Sequence, residues 1–263
     1  MDIIRTMVLG IIQGLTEWLP ISSTGHLRIA EHFMNEKIPL LFDFILHIGT
    51  LIVVLLFFRR DIKNMLSALV HLDFKTEHGK LVLLIIVGSV PAGIIGILLN
   101  EPVNSAFQDT LPIAVAFVLC GIMLYSAKFA HEKNESIGYS TAILVGVAEG
   151  IAIIPGISRS GATITVALLL GIKREKAFKF SFLLSIPAIL SVLGYNFAKR
   201  SDELASAGLG WPEILTGVFV VMFIGYFALK LLWKILKKKK LYLFAFYCWL
   251  LGIALIVLSL RGF

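Results

Sequence analysis

Two clusters of polar residues interrupt apolar sequence and carry most of the side chains that could do chemistry. The first runs from Gln13 to His26 and reads Q-G-L-T-E-W-L-P-I-S-S-T-G-H. The second runs from Glu149 to Thr163 and reads E-G-I-A-I-I-P-G-I-S-R-S-G-A-T. Each begins with an amide or an acid followed by Gly, and each continues through a Pro to serines and a further Gly. Since charged groups are costly inside a bilayer, their presence between apolar runs indicates a functional site.

The first cluster offers a nucleophile and a base. Ser22, Ser23 and Thr24 precede Gly25 and His26, and they are expected to open a half-helix whose free amides attract an anion. Ser23 lies three residues before His26 on one helical face, so a nucleophile–base pair is one interpretation. The alternative is structural, because serines and threonines in membrane helices often bond only to backbone, and a histidine can bond to a neighbouring helix.

The second cluster offers a phosphate clamp. Ser158, Arg159 and Ser160 occupy the place that the first cluster gives to its hydroxyls. The guanidinium fork of Arg159 suits bidentate recognition of phosphate or carboxylate oxygens. Two helix N-termini facing each other around one arginine would form a pocket for a phosphate or diphosphate. A structural ion pair between Arg159 and Glu17 or Glu149 is the alternative.

Glu17 and Glu149 have two interpretations. A buried acid can be neutral and hydrogen-bonded, or it can hold a divalent cation. Hard cations such as Mg²⁺ prefer oxygen ligands and commonly bind through a carboxylate and the phosphates of the substrate. A diphosphate substrate would favour the metal interpretation.

The rest of the chain predicts an all-α polytopic membrane protein. Of its 263 residues, 58% are hydrophobic and 16% are charged, with a mean hydropathy of +0.90. Apolar stretches of about 20 residues, the length of a membrane-spanning helix, recur along it. The predicted spans are 42–58, 81–99, 112–128, 180–197, 213–233 and 241–260. Four shorter pieces, 3–19 with 24–34 and 140–154 with 160–171, flank the two polar clusters.

Each pair of short pieces is predicted to form a re-entrant helical hairpin. The chain then reads as one integral membrane domain, 1–263, built from two repeats at about 1–130 and 138–263, each a hairpin followed by three spans. Three is an odd number, so the second repeat is inverted relative to the first. The hairpins would enter from opposite faces and meet near the midplane, as in inverted-repeat transporters.

Charge sets the expected orientation. Most Lys and Arg residues fall on one face of this topology, and positive residues concentrate in the cytoplasm. Both termini and the first hairpin's mouth should therefore face outward, so that the site opens to the extracytoplasmic side of the cell membrane. The net charge of +7 and the run Lys237–Lys240 are attributed to membrane anchoring, and no nucleic-acid partner is expected. Cys120 and Cys248 lie in apolar segments and are expected to be buried, unreactive thiols.

The motifs resemble those of a known family. The stretches E-W-L-P-I-S-S-T-G-H-L and P-G-I-S-R-S-G-A-T resemble the two signature motifs of the undecaprenyl-diphosphate phosphatase family, also called the bacitracin-resistance family. The resemblance extends over the whole chain and includes F-D-F-I-L-H-I-G-T-L, from Phe42 to Leu51, and F-S-F-L-L-S-I-P-A, from Phe180 to Ala188. It implies a membrane phosphatase that removes the terminal phosphate of undecaprenyl diphosphate and so regenerates the lipid carrier for cell-wall synthesis.

The resemblance also implies the site residues and a divalent cation, Mg²⁺ or Ca²⁺. The expected catalytic residues are Glu17, Ser23, His26 and Arg159, with Glu17 and Glu149 as metal ligands. The expected substrate-binding residues are Ser22, Thr24, Gly25, Ser158, Ser160, Gly161 and Thr163. The chain departs from the family pattern at two positions. Gln13 stands where many members have the first acid of an E-x-x-x-E pair, and Glu149 stands where many members have Gln.

The hypothesis is that Ser23 attacks phosphorus while His26 transfers protons and Arg159 stabilises the developing charge. Direct attack by His26 or by an activated water is the alternative. The expected partners are a polyprenyl diphosphate and membrane lipids, and a homodimer is left open. A transporter or lipid flippase is the rival function, because inverted repeats around an anion site also build transporters.

Overall fold

The computed structural model describes residues 3–34, 38, 40–206 and 210–261. The predicted ends of the domain, residues 1 and 263, lie outside this part. Apart from an isolated bridge between Asn134 and Ile172, the regular structure of the described residues is helical. The α-helices are α1 (Ile3–Trp18), α2 (Ser23–Met34), α3 (Leu40–Phe57), α4 (Arg59–Val70), α5 (Glu77–Ala106), α6 (Thr110–Ser126), α7 (Tyr139–Ile151), α8 (Arg159–Leu169), α9 (Arg174–Ser206), α10 (Trp211–Lys237) and α11 (Leu243–Leu260), with one 3₁₀ turn at Ala127–Phe129.

The predicted polytopic, all-α fold class is confirmed. In the described residues, five helices are long and apolar enough to cross a membrane, namely α5, α6 with its 3₁₀ turn, the first part of α9, α10 and α11. A sixth span is formed if α3 and α4 are counted together, although these two helices meet at an angle of 82°. The bend lies where Arg59, Arg60 and Asp61 end the apolar run of α3.

The four short helices lie where the sequence predicts them. With 16, 12, 13 and 11 residues, α1, α2, α7 and α8 are each shorter than the roughly 20 residues that a span needs. Proline interrupts both pairs, since Pro20 and Pro155 have no amide hydrogen to donate. Left-handed backbone then reverses the chain, at Ser22 with φ 68° and at Gly156 with φ 102°. The re-entrant path of the hairpins through a bilayer stays a prediction.

Helices of the first half of the chain pack on helices of the second half. The first hairpin helix, α1, packs on α10, and its counterpart α7 packs on α5; α6 pairs with α11 and α3 with α9. Glycines make the first two contacts close: a Cβ at Gly14 would lie 3.1 Å from Ile224, and one at Gly146 would lie 2.0 Å from the carbonyl oxygen of Gly88. Two intertwined repeats would pack in this way. The repeat boundaries and the inversion stay predictions.

The core surrounds the hairpin breaks. Trp18, the last residue of α1, is 1% exposed, and its ring centroid lies 5.5 Å from that of Phe182 on α9. Exposed aromatic side chains lie outside, including Phe219, Phe223 and Phe227 along one face of α10. Large exposed apolar surfaces mark contact with a membrane or a partner. The chain is therefore a multi-pass membrane protein with its polar clusters inside.

Candidate active site

Direct hydrogen bonds join the two hairpin breaks. The Ser22 hydroxyl oxygen accepts a bond from the amide of Gly156 (3.0 Å) and one from the amide of Gly25 (3.3 Å). In the opposite direction, the Ser160 hydroxyl donates to the carbonyl oxygen of Trp18 (3.2 Å). The two polar clusters, more than 130 residues apart in sequence, therefore form one site.

Glu17 is the hub of this site. Its carboxylate is 7% exposed and forms an ion pair with Arg159. The Ser23 hydroxyl donates to the carboxylate at 2.6 Å, and the Gln13 side-chain amide donates to it at 3.2 Å. Such charge pairing and hydrogen bonding compensate the cost of removing a carboxylate from water. The ion pair considered from sequence as a structural alternative is thus present, and it lies beside the hydroxyl expected to be the nucleophile.

The expected pairing of Ser23 with His26 is not seen. His26 Nδ1 lies 2.7 Å from the carbonyl oxygen of Ser22, and Nε2 lies 2.7 Å from the hydroxyl of Tyr247 on α11. The reason is local: the carbonyl four residues before His26 takes one ring nitrogen, and a residue of the other half of the chain takes the second. Ser23 instead donates to Glu17, so the group in contact with its hydroxyl is a carboxylate.

The hydroxyls of the second cluster stabilise the start of α8. Ser158 caps the helix by accepting from the Gly161 amide (3.2 Å), and its oxygen lies 3.2 Å from the Ser160 hydroxyl. Thr163 donates to the carbonyl oxygen of Arg159, one turn earlier (2.9 Å). These bonds use the hydroxyls within the protein. Ser158, Ser160 and Thr163 therefore fit the structural interpretation better than direct substrate binding.

Burial separates the expected site residues into two groups. Glu17 and the side chains that join or cap the hairpins are buried, namely Ser22, Ser158, Ser160 and Thr163. Ser23, His26 and Arg159 are partly exposed, and Thr24 is exposed. The second group contains the expected nucleophile Ser23, an imidazole and a guanidinium. An entering phosphate would meet these side chains first.

Two expected substrate-binding glycines serve close packing. A Cβ at Gly25 would lie 2.6 Å from the Phe117 ring and 3.1 Å from the Gly156 amide nitrogen. A Cβ at Gly161 would lie 3.0 Å from Leu124 and 3.2 Å from Pro20. Both glycines are buried, and because neither has a side chain, the two hairpin tips can approach each other closely.

The acids fit the expected cation unequally. Glu149 is 6% exposed and neither of its carboxylate oxygens has a hydrogen-bond partner, although it interacts electrostatically with Arg159. An unpartnered buried carboxylate is the ligand type that a hard cation uses. Glu17, in contrast, already accepts from three side chains. Within the described residues no group of three or more His, Cys, Asp and Glu side chains could hold a metal, so phosphate oxygens would have to complete the coordination.

Three polar residues beside the site were not assigned a role from sequence. From sequence, Gln13 was interpreted only as the residue that replaces an acid, but its side-chain amide donates to Glu17. Tyr247 bonds to His26, and no local pattern distinguishes it from other membrane tyrosines. His47 on α3 interacts electrostatically with Glu17, with Nδ1 3.9 Å from an Asp43 carboxylate oxygen. The stretch F-D-F-I-L-H could have indicated the pair of Asp43 and His47, because it places an acid and a histidine four residues apart in an apolar helix.

Comparison with known proteins identifies the family of the chain. A family model described as "Bacitracin resistance protein BacA" matches residues 6–254. The chain is 42% identical to the undecaprenyl-diphosphatase of Halothermothrix orenii, over 98% of this chain and 99% of the relative. It is 40% identical to that of Carboxydothermus hydrogenoformans, over 100% and 99% of the two chains, and 40% identical to that of Treponema denticola, over 97% of both. Matches of this extent cover both hairpins and the spans between them, and the chain therefore belongs to the bacitracin resistance protein BacA family.

Proposed function

We propose that the protein is a membrane phosphatase that hydrolyses undecaprenyl diphosphate, or a related polyprenyl diphosphate, to the monophosphate and inorganic phosphate. This reaction recycles the lipid carrier of cell-wall synthesis. The observation that carries the proposal is the contact of Ser23 with Glu17 beside Arg159, at the junction of the two hairpins. The printed names of the relatives support the choice of substrate.

Ser23 is the proposed nucleophile. Its oxygen forms a bond to the terminal phosphorus while the bond from that phosphorus to the bridging oxygen breaks, and polyprenyl monophosphate leaves. Glu17, 2.6 Å from the hydroxyl, accepts the proton. Water then attacks the phosphoseryl phosphorus and the bond from phosphorus to Ser23 breaks, which releases inorganic phosphate. The proton held by Glu17 returns to the Ser23 oxygen.

Arg159 stabilises the phosphoryl group during transfer. Its side chain is 23% exposed and is already held beside the nucleophile by Glu17. The N-termini of α2 and α8 add the positive ends of two helix dipoles. Preorganised donors of this kind stabilise charge that develops on the equatorial oxygens. His26, also partly exposed, is proposed to accept the proton of the water in the second step.

A divalent cation, Mg²⁺ or Ca²⁺, is proposed as cofactor. Glu149 would hold it, because both oxygens of this buried carboxylate are without a partner. When bound, the cation would neutralise charge on the diphosphate. Glu17 is assigned to Ser23 and Arg159 rather than to the cation.

The prenyl tail is proposed to lie in an apolar groove between α5 and α7. Its lining is Val87, Val90, Pro91, Ile94 and Ile143. Ile143 precedes Glu149 by six residues on α7, a rise of about 9 Å along the helix. A tail in this groove would therefore leave its diphosphate near the acid proposed to hold the cation. The site is further proposed to open to the extracytoplasmic side of the cell membrane, a placement supported by the distribution of Lys and Arg.

Phosphate release from a defined lipid tests the proposed function. Purified protein in detergent is incubated with undecaprenyl diphosphate and Mg²⁺, and inorganic phosphate is measured with and without a chelator. Turnover by the wild type and its loss in Arg159→Ala are expected. Transfer of a polyprenyl phosphate across vesicles without phosphate release would contradict the proposal and favour a flippase.

A further inference from the structure

The ring of His26 is held from two sides. Nδ1 lies 2.7 Å from the carbonyl oxygen of Ser22, and because a carbonyl can only accept, Nδ1 carries the hydrogen. In the neutral ring Nε2 is then the acceptor, and the hydroxyl of Tyr247, 2.7 Å away, donates to it. When His26 takes up a proton, Nε2 becomes a donor and the same phenolic oxygen can accept. Tyr247 can therefore bond to His26 in both protonation states.

Ring contacts add a second restraint. The rings of Tyr247 and His26 are stacked, with centroids 5.7 Å apart and planes 12° apart. Phe117 meets the imidazole edge-on at 5.4 Å. The plane of the His26 ring is thus set by an aromatic residue of α6 and one of α11, while its tautomer is set by Ser22 and Tyr247.

We propose that Tyr247 is a positioning residue for His26, fixing the tautomer and ring plane that present Nε2 for proton transfer. The proposal rests on the proposed function for its kinetic consequences, and on the geometry alone for the accessibility of Nε2. Tyr247 lies 221 residues after His26, so α11 contributes to a site whose proposed nucleophile and imidazole lie in the first hairpin. Tyr247 is 41% exposed. Its hydroxyl occupies Nε2 in the resting site and gives way to the water or reagent that uses this nitrogen.

Tyr247→Phe tests the kinetic part, because it removes the hydroxyl and keeps the stacked ring. We expect kcat for phosphate release to fall about tenfold while KM changes by less than about twofold. The matched control is Tyr139→Phe, which alters an exposed tyrosine at the start of α7 and should leave both constants unchanged. In a His26→Gln background, Tyr247→Phe should cause no further loss, since the two residues act as one unit. An equal loss in both backgrounds would overturn the proposal.

Chemical labelling tests the geometric part without any turnover. Diethyl pyrocarbonate acylates a neutral imidazole nitrogen, and mass spectrometry gives the labelling rate at each histidine. His71 is the internal reference, since its Nδ1 also lies near the carbonyl four residues earlier, 2.8 Å from Ser67. In Tyr247→Phe, labelling of His26 relative to His71 should rise about fivefold, the effect of losing one hydrogen bond. An unchanged ratio would overturn the proposal even if the phosphatase assay succeeds, and the rise is expected even if that assay fails.

Discussion

Ser23 donates a 2.6 Å hydrogen bond to Glu17, and the same carboxylate holds Arg159 of the second hairpin. One buried acid thus connects the proposed nucleophile with the proposed phosphate clamp. Since these groups are in contact before substrate arrives, little reorganisation is needed for the first proton transfer.

Removing either end of this bond should stop catalysis. Ser23→Ala and Glu17→Gln should each lower kcat at least about a hundredfold in a phosphate-release assay. Glu17→Gln should also lower Tm, because it leaves Arg159 half-buried without its counter-charge. The double variant should be no slower than Ser23→Ala, since the two residues serve one step.

Ser191→Ala is the matched control, because this exposed hydroxyl donates only to the carbonyl oxygen of Pro187 in its own helix among the bonds described. It should retain wild-type kcat. Near-normal turnover by Ser23→Ala would show that Ser23 is not the nucleophile, and attack by His26 or water would then be the better mechanism.

Ser22 is predicted to act through the fold rather than through substrate. Ser22→Ala removes an oxygen that accepts from two amides, one of them across the hairpins, and should lower the free energy of unfolding by about 2 kcal/mol. Ser22→Gly loses the same bonds but suits the φ of 68° better, so it should be the more stable of the two. Thermal unfolding in detergent measures both. An unchanged Tm for Ser22→Ala would contradict the structural role.

Glu149 is predicted to lower the stability of the cation-free protein and to bind the cation. Glu149→Gln removes a buried carboxyl group that is costly to ionise and whose oxygens have no hydrogen-bond partner, so its Tm in chelator should exceed that of the wild type. Its phosphate release should need at least about tenfold more Mg²⁺ or Ca²⁺ for half-maximal rate. The increase in Tm that either cation gives the wild type should disappear.

Glu135→Gln is the control for this acid, because Glu135 is an exposed partner of Lys173 whose hydrogen bond lowers the pKa of the carboxyl. It should keep the wild-type response to cations. The same cation dependence in Glu149→Gln as in the wild type would remove Glu149 from the cation site.

A bulky side chain in the groove between α5 and α7 should raise KM for a long prenyl diphosphate and not for a short one. Ile143→Trp should raise KM for undecaprenyl diphosphate about tenfold and leave a five-carbon prenyl diphosphate unaffected, because a short tail does not reach the groove. Leu144→Trp, at the adjacent exposed position outside the groove lining, is the control. An equal change for both substrates would place the tail elsewhere.

Much of the fold could be predicted from sequence because its signals are local. Apolar runs of span length, Pro20 and Pro155 predicted the spans and the four short helices. The 82° bend between α3 and α4 was missed, since span prediction counts hydropathy and does not follow the chain beyond the run's charged end. The residue types also identified the two clusters and the buried acids.

The sequence by itself determined that this is a polytopic membrane protein with two polar breaks containing the residues for phosphate chemistry. Hydropathy, proline and charge are properties of short segments, so they can be read without the fold. Only the tertiary structure decided that Ser23 meets Glu17 rather than His26, that Arg159 joins them from 142 residues away, and that Tyr247 holds His26 from the last helix. It also separated the buried hydroxyls, which bond within the protein, from the partly exposed hydroxyl of Ser23. Hydrogen bonds act over about 3 Å, so these choices depend on packing between helices that lie far apart in the chain.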